Sequence, residues 1–184
     1  MIRLFIALAL LLGAVAANAG TPDGTPATVK EIRQAYADAQ QQMALSLQEG
    51  MHRNDLETTL RYVVPAVGET VETLRCFYSD PEMDTEVWEV RYHPYFITRK
   101  YNVSMRKFYE EYLFDAKTGR LLFFYLKGDV FEGGQNEERY YFGPEGRISE
   151  IIKGERTLSD ETVLRRAESL RSSIRTMLET AANH

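Results

Sequence analysis

Apolar positions recur along this chain with two spacings, and the change from one to the other marks its organisation. Near the start they fall at Val29, Ile32, Tyr36, Ala39, Met43 and Leu47, with Lys30, Glu31, Arg33, Asp38 and Gln41 elsewhere on the wheel. Steps of three and four residues place one apolar stripe along a helix. Thr25 followed by Pro26 reads as N-cap and first-turn proline, and Gly50 as the stop, which predicts a helix from Ala27 to Gln48. The far end repeats the pattern at Val163, Ala167, Leu170, Ile174, Met177 and Ala181, predicting a second helix from Asp160 to Ala181. Ser159 is its cap, Asp160 and Glu161 oppose the positive end of the helix dipole, and Leu158 can pack on Val163 as a hydrophobic staple. Arg165, Arg166, Arg171 and Arg175 lie mostly off the stripe and read as its solvated side.

Between the helices the period is two. Leu60 to Val64, Thr70 to Tyr78, Glu86 to Tyr92, Phe108 to Phe114, Arg120 to Leu126, Glu138 to Phe142 and Arg147 to Ile152 carry the β-branched and aromatic residues of strands. The short glycine-bearing loops Asp115 to Gly119 and Gly143 to Gly146 mark antiparallel hairpins. Consecutive hairpins without intervening helices predict an α+β class: an antiparallel meander of about six to eight strands, with the N-terminal and C-terminal amphipathic helices packed on it. The rival topology is a closed lipocalin-like barrel, in which the first and last strands would pair. In Glu86 to Tyr92, Trp88, Val90 and Tyr92 share one side. In Arg120 to Leu126 both sides are apolar, Leu122, Phe124 and Leu126 on one and Leu121, Phe123 and Tyr125 on the other, so this strand is expected to be central and covered twice. The helices can cover one face, so the second cover is expected to be sheet curvature, a loop, a partner chain or a ligand.

The first residues change the setting. Met1 to Ala19 carries one positive charge at Arg3, the apolar run Leu4 to Ala17 and the small-x-small ending Ala17-Asn18-Ala19, the pattern of a cleaved secretory signal. The run is shorter than a spanning helix requires, so no membrane span is expected after cleavage, and Gly20 rather than cysteine follows Ala19. This organisation gives a signal peptide (1–19), a flexible leader (20–25) and a single domain (26–184), exported to the periplasm or beyond. At 184 residues, with 44% apolar and 27% charged positions, the chain has the material for one folded core. With 22 basic against 27 acidic residues, it has no overall positive field to collect phosphates, and no nucleic-acid partner is expected. Cys76 is the only cysteine, which excludes an intramolecular disulfide or a thiolate metal cluster; inside Thr73 to Tyr78 it reads as a small buried hydrophobe.

Candidate chemistry lies in the strands. Fifteen aromatic residues, eight of them tyrosines, fall between Tyr92 and Phe142. Such a sheet offers flat apolar surface together with hydroxyl donors, a composition suited to sugars, peptides or lipid-like ligands. The leading reading is a non-enzymatic exported binding module, with Tyr109, Phe123, Tyr125 and Tyr140 as its lining. Its partner would be a small apolar or glycan ligand, an envelope protein or a second copy in a homodimer. A second reading is a small hydrolase using Glu110 or Glu111 with Glu138 as a carboxylate pair. A third is an interaction or inhibitor protein acting through its surface. Asp80, Glu82, Asp84 and Glu86 alternate like the opening of a calcium loop, but the loop lacks its sixth-position glycine and has Arg91 at the twelfth position, so a solvated acidic loop is expected. His93-Pro94 reads as a turn, and Asn102-Val103-Ser104 matches a glycosylation acceptor. With no P-loop, GxGxxG, HExxH or CxxC motif, no cofactor or metal is called for.

The stretch Arg106 to Phe123, with Asp115-Ala116-Lys117-Thr118-Gly119 at its turn, followed by Glu138-Arg139-Tyr140-Tyr141-Phe142, resembles exported, uncharacterised proteins of Bacteroidota. Their hairpins read as an aromatic strand, Asp-x-x-Thr-Gly and a second aromatic strand. The likeness lies within residues 106–142 and implies a periplasmic or extracellular setting; it carries no activity and no functional residues.

Overall fold

The computed structural model describes residues 26–48, 54–131 and 133–183; the signal peptide and leader read from the sequence lie outside them. The first helix, α1, runs Val29–Ser46, beginning two residues after the predicted Ala27 and ending two before Gln48. Thr28 is the cap. Its hydroxyl accepts from the Glu31 N–H at 3.2 Å, while the Glu31 carboxylate accepts from the N–H groups of Thr28 and Ala27. This reciprocal pairing satisfies donors that the first helical turn leaves open; Thr25, the cap expected from the sequence, lies outside the described residues. The last helix, α2, runs Asp160–Ala182 from Ser159, as the sequence indicates.

Nine strands lie between: β1 Asp55–Val64, β2 Gly68–Tyr78, β3 Glu82–Asp84, β4 Glu89–Arg91, β5 Pro94–Val103, β6 Arg106–Phe114, β7 Leu121–Asp129, β8 Gln135–Gly143 and β9 Gly146–Lys153. Seven form one antiparallel sheet in the order β1-β2-β5-β6-β7-β8-β9, and β3 with β4 makes a separate hairpin. The class is therefore α+β, built on a meander. β1 and β9 are the two edges, so the sheet is open and the barrel alternative does not apply.

Two strand expectations need correction. The predicted strand Glu86 to Tyr92 is mostly a turn: only Glu89–Arg91 pairs, and Trp88 sits at φ 58° with 78% of its surface exposed. A left-handed residue cannot continue a strand, so Trp88, Val90 and Tyr92 do not form one face. Conversely, the sequence pattern does not reveal β5. It opens on Pro94, which cannot donate to a ladder but is tolerated at a strand's first residue. Its later part carries Thr98, Arg99, Lys100 and Asn102, whose polarity masks the alternation.

The helices take opposite faces of the sheet. On one, Ile32 and Ala39 of α1 pack with Phe77, Phe96, Leu113, Phe123 and Tyr141. On the other, Val163, Ala167 and Ile174 of α2 pack with Cys76, Ile97, Tyr112, Phe124, Leu126 and Tyr140. The second cover that the sequence requires is thus largely the chain's own first helix. Burial pushes the Cys76 thiol up and keeps it protonated, consistent with a small core side chain. Past the Phe123 row, α1 leaves its face open: Glu111, Tyr125 and Arg139 are half-buried, and Lys100 and Lys127 are exposed.

The β6–β7 register adds a bulge. Leu113 pairs with Phe123 but Phe114 with Leu121, leaving Leu122 as the extra residue. Leu121 consequently joins the α2 side and Leu122 the α1 side, the reverse of simple alternation. Leu122 is only 3% exposed, and Leu122→Ala is expected to lower unfolding free energy by about 2–5 kcal/mol through lost burial and an unfilled cavity. Urea unfolding measures this directly, and an unchanged midpoint would place Leu122 outside the core.

Candidate functional site

A groove opens where the α1 face emerges from beneath its helix. It has a volume of about 340 Å³ and is lined by Ile32, Arg33 and Tyr36 of α1 and by Glu111, Phe123, Tyr125, Arg139 and Tyr141 of β6, β7 and β8. Strand register assembles the floor. Tyr125 sits between Glu111 and Arg139, and Phe123 between Leu113 and Tyr141, so these side chains share one face in two successive rows. Helical spacing supplies the wall, because Ile32 and Tyr36 are one turn apart on the buried stripe and Arg33 turns outward beside them.

The groove's polar groups are held in place. The Tyr36 hydroxyl donates to Glu111 Oε2 at 2.8 Å and the Tyr109 hydroxyl to Glu111 Oε1 at 2.7 Å. Burial, and then the adjoining Glu111 carboxylate, push both phenols above their ordinary range, so both remain donors at any physiological pH. Arg33 lies 5.7 Å from the Tyr141 ring centre and Arg139 lies 5.3 Å from that of Tyr125, each guanidinium facing an aromatic plane. Arg139 also pairs with Glu137. The result is a cleft with aromatic surface, two cations and one carboxylate whose tyrosine partners are already in place.

Of the four lining residues expected from the sequence, Phe123 and Tyr125 line this groove. Tyr109 adjoins it, its ring 6.2 Å from that of Tyr125. Tyr140 points the other way. It is fully buried against α2, and its hydroxyl reaches Glu138 and the Leu158 carbonyl. Adjacent strand residues face opposite sides, so with Arg139 and Tyr141 in the groove Tyr140 has no access to it. Sequence reasoning missed Arg33, Tyr36 and Arg139. The aromatic composition gave no sign of the cations, although Arg139 is set two residues from Tyr141 on one strand face.

The carboxylates considered for hydrolysis separate in the same manner. Glu111 and Glu137 belong to the α1 face, whereas Glu110 and Glu138 are on the α2 face with no exposed surface at all. Glu110 accepts from the Tyr112 and Tyr101 hydroxyls at 2.6 and 2.9 Å and faces Arg99 and Arg166 at 3.4 and 3.3 Å. Glu138 accepts from the Asn136 amide at 2.8 Å, the Thr157 N–H at 2.9 Å, and the Thr157 and Tyr140 hydroxyls. Leu126 lies between the two in the sheet register. Both carboxylates are saturated by donors, which is how a protein stabilises buried charge rather than how it presents a group to substrate.

Next to this pair, Glu72 grips Arg99 through two contacts of 2.8 Å and accepts from Tyr62. Burial alone would raise the Glu72 carboxyl, but the Arg99 hydrogen bonds and charge, with Tyr62, outweigh it and hold it below its usual 4.5. A carboxyl lowered by folding adds stability above the unfolded value and loses it as pH falls through the folded one. Glu72→Gln is therefore expected to flatten the acid limb of a stability-against-pH curve below about pH 4.5, as read by melting temperature from pH 2 to 7.

The remaining sequence candidates are accounted for locally. Asp84 accepts from the Glu86 N–H and pairs with Arg91, while Asp80 accepts from Asn54; among the described residues no three metal-ligating side chains gather. The Asn102 amide nitrogen donates to the carbonyls of Glu69 and Ser104 and its oxygen accepts from Val71, so the side chain ties β2 to β5. No helix among the described residues is long and apolar enough to cross a membrane. Comparison with protein-family models, curated proteins and solved structures finds no match.

Proposed function

We propose that this protein is an exported, non-enzymatic binding module whose α1-face groove takes a glycan-like ligand. One observation carries the reading: side chains from a helix and three strands converge on a cleft that combines ring faces with fixed polar groups. The cleft's 340 Å³ falls in the range of about 300–1,000 Å³ usual for small-ligand sites. Sugars present C–H faces that pack on tyrosine rings, and hydroxyls that pair with guanidinium and carboxylate groups. A purely apolar ligand would desolvate the Arg33 guanidinium without compensation, which disfavours it. Tyr109, Phe123 and Tyr125 belong to the proposed contact surface, and Tyr140 supports the opposite face. Export rests on the amino-terminal pattern of the sequence.

The test is a glycan panel probed with the mature protein. Tyr125→Ala is expected to weaken binding of any recognised sugar about tenfold, or about 1.4 kcal/mol, through loss of one stacking face. Calorimetry with the tightest panel member measures the change. Failure of the parent protein to bind any member, or equal binding by the variant, overturns the reading.

A further inference from the structure

Resting on the groove reading, we infer that the natural ligand is an acidic oligosaccharide, which leaves the groove and continues over a cationic strip on the open part of the α1 face. The protein carries a formal net charge of −5, yet this surface has the opposite sign. From the groove rim, the same face runs on through two further rows. One holds Lys100, Tyr109 and Lys127 in register, and the next pairs Asn102 with Lys107, whose backbone N–H donates to Asp129. These residues line a second hollow of about 440 Å³ that adjoins the first across the Tyr109–Tyr125 ring contact.

Arg33, Arg139, Lys100, Lys127 and Lys107 are the cations of this continuous surface, facing the carboxylates of Glu111, Glu137 and Asp129. Those carboxylates are committed. Glu111 accepts from two tyrosines, Glu137 pairs with Arg139 and Lys153, and Asp129 accepts from the Lys107 backbone N–H. Arg33, Lys100, Lys107 and Lys127 form no ion pair among the described residues, and all four are exposed. Unpaired cations gathered on one face concentrate an anionic ligand, which meets them without displacing a carboxylate already in place.

Aromatic rings alternate with the charges. Lys100 lies 5.8 Å from the Tyr109 ring centre and Arg139 lies 5.3 Å from that of Tyr125, so ring faces and cations occur side by side. A chain of uronate sugars meets both, laying its ring faces on tyrosine and its carboxylates on lysine and arginine. Three two-residue steps along the strands separate the Phe123 row from the Lys107 row, about 20 Å, which asks for several linked sugars rather than one.

The experiment compares hexagalacturonate with cellohexaose, a neutral chain of equal length, by calorimetry on the mature protein in 50 and 500 mM NaCl. Hexagalacturonate is expected to bind at least about tenfold tighter at low salt, with the margin shrinking at high salt as the charges are screened. The double variant K100S/K127S should weaken hexagalacturonate binding at least about tenfold at low salt and remove its margin over cellohexaose. A charge-matched control, K117S/R165S, should do neither; both of its sites are exposed and lie outside the strip. Equal affinity for the two sugars overturns the inference while leaving the groove reading intact, as does an inert lysine variant. Absence of binding by either sugar overturns the inference and counts against the groove. Duplex DNA binding as tightly as hexagalacturonate would show a response to charge alone and also overturns it.

Discussion

Glu110→Ala is expected to lower the unfolding free energy by about 3–5 kcal/mol, as measured by urea denaturation. The carboxylate is fully buried and accepts from two tyrosine hydroxyls, and it balances Arg166 and part of Arg99. Truncation would leave Arg166 without its counter-ion and the hydroxyls of Tyr101 and Tyr112 without their acceptor. Arg99 would keep Glu72, which limits the damage on that side. Glu110→Gln should cost less, because the amide keeps the volume and one acceptor while placing a new donor toward groups that are themselves donors. A loss below about 1 kcal/mol for Glu110→Ala would mean that water replaces the carboxylate readily and that the network is not structural.

Phe124→Ala is expected to cost about 3–5 kcal/mol, for a different reason. Phe124 has no exposed surface, and its ring lies 5.0 Å from Tyr112 and 5.9 Å from Tyr140. Those two tyrosines deliver their hydroxyls to Glu110 and Glu138, so Phe124 spaces the rings that satisfy both buried carboxylates. Its removal should open a cavity beneath α2 and loosen both hydroxyls. The combined F124A/E110A variant should therefore lose less than the sum of the single losses, since each change weakens what the other acts through. Strict additivity in thermal or urea unfolding would show that ring packing and carboxylate network are independent. Since Phe124 faces α2, the sugar binding proposed for the opposite face should be little changed in protein that remains folded.

The features legible in the linear chain are those set by local chemistry. Two helical stripes, the Ser159 cap, the hairpin turns at Asp115 to Gly119 and Gly143 to Gly146 and the burial of Cys76 follow from periodicity and turn residues within a few positions. Period two against a period near 3.6 was enough for the α+β class. Local signals were weaker where polarity hid the alternation, as in β5, and at the start of α1, where the capping box is set by Thr28.

Which face each element presents was decided only by tertiary structure. An amphipathic stripe specifies that a helix packs, but not on which side of a sheet; here α1 and α2 divide the two sides and leave part of one open. A one-residue difference in register exchanges the faces of a strand, and the bulge opposite Leu113 and Phe114 exchanges Leu121 with Leu122. The same parity puts Tyr125, Arg139 and Tyr141 in the groove and turns Tyr140 into the core. Tyr36 meets Glu111 across 75 positions of sequence, and no local rule couples residues so far apart. The aromatic content of the groove was therefore written in the composition, whereas its cations and boundaries arose from strand register and helix docking, which depend on the packing of the whole sheet.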